Sequence, residues 1–174
     1  MTFTEEWFCV ASQERLAELA RSAPEGLIVE IGSWEGRSTV ALANAVHPRV
    51  VHAVDTWNGS PGEISASLAA QRDIFATWQA NMAALTAGNV VAHRLGWREY
   101  LHDLTTMELA VGFAFIDAEH TYREVYDNIA ALIPLMAPGG IICGDDSHHP
   151  PVRQAVLDHF PEAQVKATVW SWTL

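Results

Sequence analysis

Residues Leu27–Thr39 constrain the fold of this 174-residue chain more than any other stretch. The apolar run Leu27–Ile31 carries one carboxylate, Glu30, and stops at Gly32. Ser33, Trp34 and Glu35 separate Gly32 from Gly36, and a helical pattern starts at Arg37. A strand that turns sharply into a helix N-terminus suits nucleotide-like cofactors, because glycine lets backbone N–H groups come close to a ligand. The spacing here is Glu-x-Gly-x-x-x-Gly. A dinucleotide fingerprint needs Gly-x-Gly-x-x-Gly, and a phosphate loop needs a Lys. This loop has neither, so it points away from a pyrophosphate.

The rest of the chain alternates between strand and helix patterns. Strands are predicted at Leu27–Ile31, Val50–Val54, Val90–Arg94, Gly112–Ile116 and Gly140–Gly144. Helices are predicted at Thr4–Arg21, Arg37–Val46, Leu68–Leu85, Arg98–Leu104, Tyr122–Leu132 and Val152–Phe160. Thr4 reads as the cap of the first helix, with Glu5 and Glu6 in its first turn, where the helix dipole favours acids. Such alternation builds a parallel sheet covered by helices on both faces. Residues Ala163–Ala167 and Val169–Trp172 add a C-terminal antiparallel pair. The expectation is one α/β domain over residues 1–174, with an N-terminal helix in 1–25 and a doubly wound, mostly parallel core in 26–174. The turn-rich segment Asn58–Gly62, with Glu63–Ala66, reads either as a lid over the ligand edge or as an ordinary connection.

Composition excludes several function classes. With 49% apolar residues, a folded core is expected rather than disorder. A net charge of −11 argues against nucleic acid, which needs clustered Lys and Arg. No apolar run approaches the ~20 residues of a membrane span, and Trp7 and Phe8 sit among acids rather than in a signal peptide. Cys9 and Cys143 read as two reduced thiols of a cytoplasmic protein.

In open parallel sheets ligands lie beyond the carboxyl ends of the strands. Glu30, Gly32, Asp55, Asp117, Asp145 and Asp146 all fall at such ends. Asp55 ends the second strand, where a carboxylate can accept hydrogen bonds from both hydroxyls of a ribose. Asp117, Asp145 and Asp146 end two strands that pack side by side, and three converging acids repel unless a proton or cation intervenes. A hard divalent cation such as Mg²⁺ suits this oxygen set. His148 and His149 follow as a nitrogen ligand, a substrate contact or solvated loop residues. The unshifted imidazole of His120 titrates near pH ~6.5 and so suits a general base, with Glu119 as the alternative.

Three segments, Val29–Thr39, Val51–Trp57 and Phe115–Tyr122, resemble the class I S-adenosylmethionine-dependent methyltransferases. They are most similar to the small-molecule group that includes the macrocin-type O-methyltransferases. The resemblance implies a Rossmann-like fold and S-adenosyl-L-methionine as cofactor. It implies that Gly32, Ser33 and Gly36 line the methionine part of that cofactor. It places Asp55, Thr56 and Trp57 at the ribose edge. Glu30 either orients the loop or reaches the amino-acid moiety through water. Trp34 and Trp57 shield the cofactor or pack. Related enzymes carry a small polar pair after the third strand; here Trp97 and Arg98 stand there, and Trp97 either stacks on adenine or packs. Asp117 serves the cofactor, the metal or both. The resemblance also implies a three-acid metal site with His120 as base. The acceptor is then a small-molecule hydroxyl, and the pocket wall comes from the N-terminal helix, the loops or a second copy of the chain. A nicotinamide-dependent oxidoreductase is the rival of another class, but the middle glycine and a Tyr-x-x-x-Lys pair are missing. A non-catalytic binding protein is a second rival, and a small-molecule methyltransferase that acts on nitrogen or without metal is a third.

Overall fold

The computed structural model describes residues 3–174. Seven strands form one sheet in the order β3-β2-β1-β4-β5-β7-β6. They are β1 Leu27–Ile31, β2 Val51–Val54, β3 Val90–His93, β4 Val111–Ile116, β5 Met136–Gly144, β6 Gln164–Lys166 and β7 Val169–Thr173. The first five pair in parallel, and β7 pairs antiparallel with both β5 and β6. Both the doubly wound core and the C-terminal antiparallel pair are as expected.

The helices are α1 Val10–Arg21, α2 Arg37–Val46, α3 Ile64–Ala69, α4 Ile74–Leu85, α5 Trp97–Thr106, α6 Tyr122–Leu132 and α7 Pro150–His159. Two differ from expectation. The first begins at Val10 after Cys9, so Thr4 is not its cap and residues 3–8 run as an irregular strap. The expected Leu68–Leu85 helix is broken in two. Asp73 stops the continuation by capping a new helix, accepting a hydrogen bond from the Ala76 backbone N–H at 2.9 Å.

Period-two burial decides which helices lie on which face. Val29 and Ile31 of β1 and Val111, Ala114 and Ile116 of β4 pack with α5, α6 and α7. Ile28 of β1 and Phe113 and Phe115 of β4 pack on the other face with Leu16 of α1 and Leu42 of α2. Trp57, Ile74, Trp78 and Met82 form a smaller cluster over β2.

The register sets up the site. Ile31 pairs with Val54 and with Ile116, and Ile116 pairs with Gly144. The next residues along these four strands are Asp55, Gly32, Asp117 and Asp145, so they emerge level at one sheet edge. The strand order reverses between β1 and β4, where such sheets open a crevice. Gly32 sits there with φ +89°, and a Cβ on it would lie 1.9 Å from the Asp117 carbonyl oxygen. No neighbour can yield, because the obstacle is backbone.

Gly32→Ala should therefore cost about 2–4 kcal/mol of stability through strain at a special backbone conformation. Calorimetry should show the unfolding midpoint fall by roughly 5–15 °C for a chain of this size. An unchanged midpoint would mean that β1 and β4 separate freely at this edge.

Candidate functional site

The glycine loop is built around a buried carboxylate. Glu30 is fully buried in β1 and accepts hydrogen bonds from Ser33 Oγ at 2.6 Å, Ser38 Oγ at 2.6 Å and Thr39 Oγ1 at 2.5 Å. These hydroxyls come from the loop and the first turn of α2, so one side chain ties strand, loop and helix together. Burial pushes the Glu30 carboxyl up to about 7, although the three hydroxyls favour its charged form. Of the two roles expected of Glu30, the geometry matches that of loop holder; it lies beneath the cleft rather than on its wall.

Asp55 is the second strut. Its Oδ2 accepts from the backbone N–H groups of Ser33 at 2.8 Å and Trp34 at 2.9 Å, and its Oδ1 accepts from that of Trp57 at 2.7 Å. A carboxylate offers about four acceptor positions, so room remains at Oδ1, and Asp55 does line the cleft. Ser33 and the exposed Thr56 line it too. Trp57 does not. It is 3% exposed, donates its indole N–H to the Trp34 carbonyl at 2.8 Å, and packs with tilted rings against Phe75 and Trp78. Its role is packing. Gly36 likewise sits behind the wall. With φ +89°, its missing Cβ makes room for Met82 and Trp78.

The cleft above this edge has a volume of about 1000 Å³. Trp97 and Arg98 form one end. The Arg98 guanidinium lies 4.2 Å from the Trp97 ring centroid and pairs with both oxygens of Glu124 at 2.7 and 2.8 Å. The Trp97 indole N–H also goes to Glu124, at 3.2 Å. The strap of residues 3–8 forms a wall, at the N-terminal segment where a helix had been expected to supply one. Thr4 N–H donates to Glu35 at 2.7 Å, and Arg72 pairs with Glu5 at 2.5 Å and Glu35 at 3.0 Å. Trp7 packs on Trp34 at 5.4 Å between ring centroids. The cap-like Thr-Glu-Glu run masked this strap, and its partner Arg72 is 67 residues from Glu5.

The acidic centre differs from the expected trio. Ligand atoms of Asp117, His120 and Asp146 all lie within 4.8 Å of one another. His120 Nε2 is 2.9 Å from Asp146 Oδ2 and 3.7 Å from Asp117 Oδ1, yet it is buried and makes no aligned hydrogen bond. Its Nδ1 lies 3.0 Å from Glu63 Oε1. Asp145 does not join the cluster. It is 6% exposed and accepts a hydrogen bond from Thr168 Oγ1 at the β6–β7 turn. Burial, with Asp117 and Asp146 nearby, pushes Asp145 up to about 7. Asp146 sits below its ordinary value, chiefly through His120. It also adopts φ +57°, a conformation that Asp tolerates better than most residues. Asp117 is raised, first by burial.

Burial alone would lower His120, but Asp117 and Asp146 outweigh it and push the imidazole up to about 11. These two carboxylates thereby bias the imidazole toward its protonated form. Glu119 also lines the cleft and accepts from Thr121 Oγ1 at 3.1 Å. His148 is exposed, with Nε2 3.8 Å from Asp146 Oδ1; His149 lies with its ring centroid 6.2 Å from that of His120. Glu63 belongs to the segment read either as a lid or as an ordinary connection, but its contact with His120 was not anticipated. Gly59–Ser65 of that segment line the cleft, and Ser60 Oγ donates to the Ala118 carbonyl at 3.3 Å.

The donor set suits a divalent cation: two carboxylates and the imidazole Nε2 that faces them, while the other ring nitrogen faces the Glu63 carboxylate. Asp117, His120 and Asp146 would hold it, in place of the expected Asp117, Asp145 and Asp146.

Residues 29–147 match the family profile described as a methyltransferase domain. Solved structures share the fold. The O-methyltransferase NovP is 21% identical, with 94% of this chain and 79% of that one covered at a TM-score of 0.66. The O-methyltransferase TomG from Streptomyces achromogenes, described in complex with SAM, is 20% identical, with 95% and 82% covered at 0.66. An O-methyltransferase from Bacillus cereus in complex with SAH is 16% identical, with 95% and 81% covered at 0.67. At these identities the likeness is one of fold. No curated protein matches the chain in sequence.

The buried Glu30 carboxyl gives a signed pH dependence. The unfolded chain releases this proton near the ordinary carboxyl value of 4.5, and the folded chain keeps it until about 7. The folded state thus binds more protons in between, and its stability at this group falls as pH rises through that window. Denaturant titrations at pH 5 and pH 8 should show a smaller loss for Glu30→Gln than for the wild type. Glu30→Ala, which leaves three buried hydroxyls without an acceptor, should cost about 3 kcal/mol or more at either pH.

Proposed function

Because the chain belongs to the methyltransferase-domain family, and is an S-adenosylmethionine-dependent methyltransferase, we propose that it methylates a hydroxyl of a small molecule with help from a divalent cation. The observation that carries this reading is the convergence of Asp117, His120 and Asp146 on one point beside the glycine loop. When bound, the cofactor supplies an activated methyl group on a cationic sulfur, and the cation supplies charge that acidifies a hydroxyl.

The chain's own residues do the rest. Asp55 keeps one acceptor position for ribose while bracing the loop. Ser33 presents its surface to the methionine part, and Trp97 walls the adenine end. Asp117 and Asp146, at two adjacent strand ends, together with His120 would hold the cation. Glu119, on the turn between Asp117 and His120, takes the acceptor's proton. It lines the cleft and holds only one hydrogen bond, from the Thr121 hydroxyl. The Asn58–Ala66 loop and the residue 3–8 strap exclude water and align the acceptor, so positioning provides much of the rate. A cation between two carboxylates favours acceptors with neighbouring oxygens, such as vicinal diols, sugars and catechols.

Calorimetry tests the cofactor half. S-adenosylhomocysteine should bind and NAD should bind far more weakly; the reverse order would overturn the reading. For the metal half, Asp146→Asn should weaken Mn²⁺ binding about 10–100-fold, the scale of a lost charged contact, with little change for S-adenosylhomocysteine. Full turnover after exhaustive chelation would remove the cation from the mechanism. Glu119→Gln should lower turnover ~10²–10⁴-fold if it accepts the proton.

A further inference from the structure

Glu63 lies outside the glycine loop and the strand-end acids, yet it touches His120 at the acidic centre. It follows the turn Ser60–Gly62 and stands at the N-cap position of the short helix α3, its side chain free of the cap, as the sixth residue of the Asn58–Ala66 segment. Both of its oxygens face the His120 ring: Nδ1 is 3.0 Å from Oε1 and 3.1 Å from Oε2. The His120 backbone N–H also donates to Oε1 at 3.1 Å. One carboxylate from the β2–α3 connection therefore grips both the backbone and the ring of a residue on the β4–α6 connection.

That grip decides how the ring can serve the centre. With Nδ1–H donated to Glu63, Nε2 is the nitrogen turned toward Asp117 and Asp146, where it is buried and without an aligned partner. A histidine that ligates a metal through one nitrogen nearly always gives the other N–H to a carboxylate or carbonyl, which fixes its tautomer and raises its basicity. The segment is otherwise lightly held. Ser60 Oγ reaches the Ala118 carbonyl at 3.3 Å, and Ser60 N–H, inside the segment, donates to Ser65 Oγ at 2.9 Å. Gly62 has φ +82° with open space around it, and Ile64 is 68% exposed. Closure of this segment therefore depends on the His120 contact more than on apolar packing.

Resting on the metal-assisted reading above, we propose that Glu63 is a positioning residue that sets the His120 ring for cation binding, so that occupancy of the Asp117–His120–Asp146 centre and closure of the Asn58–Ala66 segment reinforce one another. By linkage, whatever the closed segment adds to cation affinity the cation returns as segment closure. An acceptor entering the cleft then meets a complete centre only when the segment is down.

The test titrates Mn²⁺ into the full-length wild type, Glu63→Gln and Glu63→Ala, followed by calorimetry and electron paramagnetic resonance. Glu63→Ala should lose roughly 10–100-fold in Mn²⁺ affinity, the usual cost of removing a ligand's orienting partner. Glu63→Gln, whose amide oxygen can still accept from Nδ1–H, should lie between. S-adenosylhomocysteine affinity should hold in all three, which shows that the variants are folded. Limited proteolysis reads the second half: cleavage within residues 58–66 should slow when Mn²⁺ is added to the wild type and stay fast in Glu63→Ala. Equal Mn²⁺ affinity in wild type and Glu63→Ala overturns the proposal while leaving the metal reading intact. A wild type that binds no Mn²⁺ overturns the metal reading and the coupling with it. The Glu63–His120 clasp is then judged separately: cleavage in the segment as slow in Glu63→Ala as in the wild type would remove that as well.

Discussion

A single buried carboxylate, Glu30, underlies the rest of the site. It takes hydroxyl hydrogen bonds from the loop and from the first turn of α2, in a place where water cannot substitute. That holds the loop in a shape where Ser33 and Trp34 can offer their N–H groups to Asp55 on the neighbouring strand. The loop is thereby fastened from below by one acid and from the side by another. The cost is an ionisable group with no access to solvent, and the raised Glu30 carboxyl reflects it. An enzyme needs such rigidity here, because a misplacement of about 1 Å between methyl donor and acceptor is expensive in rate.

Charge is distributed unevenly over the cleft. Nine carboxylates and two guanidiniums line it. Both guanidiniums are engaged: Arg98 by Glu124, and Arg37 by the Glu5 carbonyl and the face of Phe3. The cavity therefore presents a negative field, which suits a sulfonium donor and a divalent cation and disfavours phosphorylated acceptors. Within that field the two adjacent acids at the end of β5 are split. Asp145 is tied back to Thr168 and raised, while Asp146 faces His120 and is lowered. Neighbouring acids with opposite surroundings can take different roles, one structural and one facing the ligand.

The strap of residues 3–8 and the Asn58–Ala66 segment give a short chain its pocket walls. The strap rests on Glu5, Glu35 and Arg72 and on two aromatic anchors, the buried Phe8 against Phe115 and Trp7 against Trp34. The segment rests on a few polar contacts, chiefly that of Glu63 with His120. An element secured that way opens at lower cost than the core strands, which suits a wall that must admit and release ligands.

The sequence by itself determined the strand–loop–helix of Leu27–Val46, the alternation of elements and the level edge that carries Asp55, Asp117 and Asp145. Hydrophobic period and turn chemistry are local properties and can be read along the chain. The exact span of α6, from Tyr122 to Leu132, follows from its capping Thr121 and apolar stripe. What escaped were contacts between residues far apart in sequence. Thr4 looked like a helix cap because a cap and a strap anchor use the same hydroxyl, and only Glu35 and Arg72 arriving beside it decided between them. Asp145 and Asp146 look equivalent in sequence, and it took Thr168 on one side and a left-handed backbone on the other to separate them. His120 looked like a base because an isolated imidazole titrates near neutrality. Asp117 and Asp146, from two different connections, raise that imidazole, since ionisation depends on the surrounding field, and the field belongs to the tertiary structure.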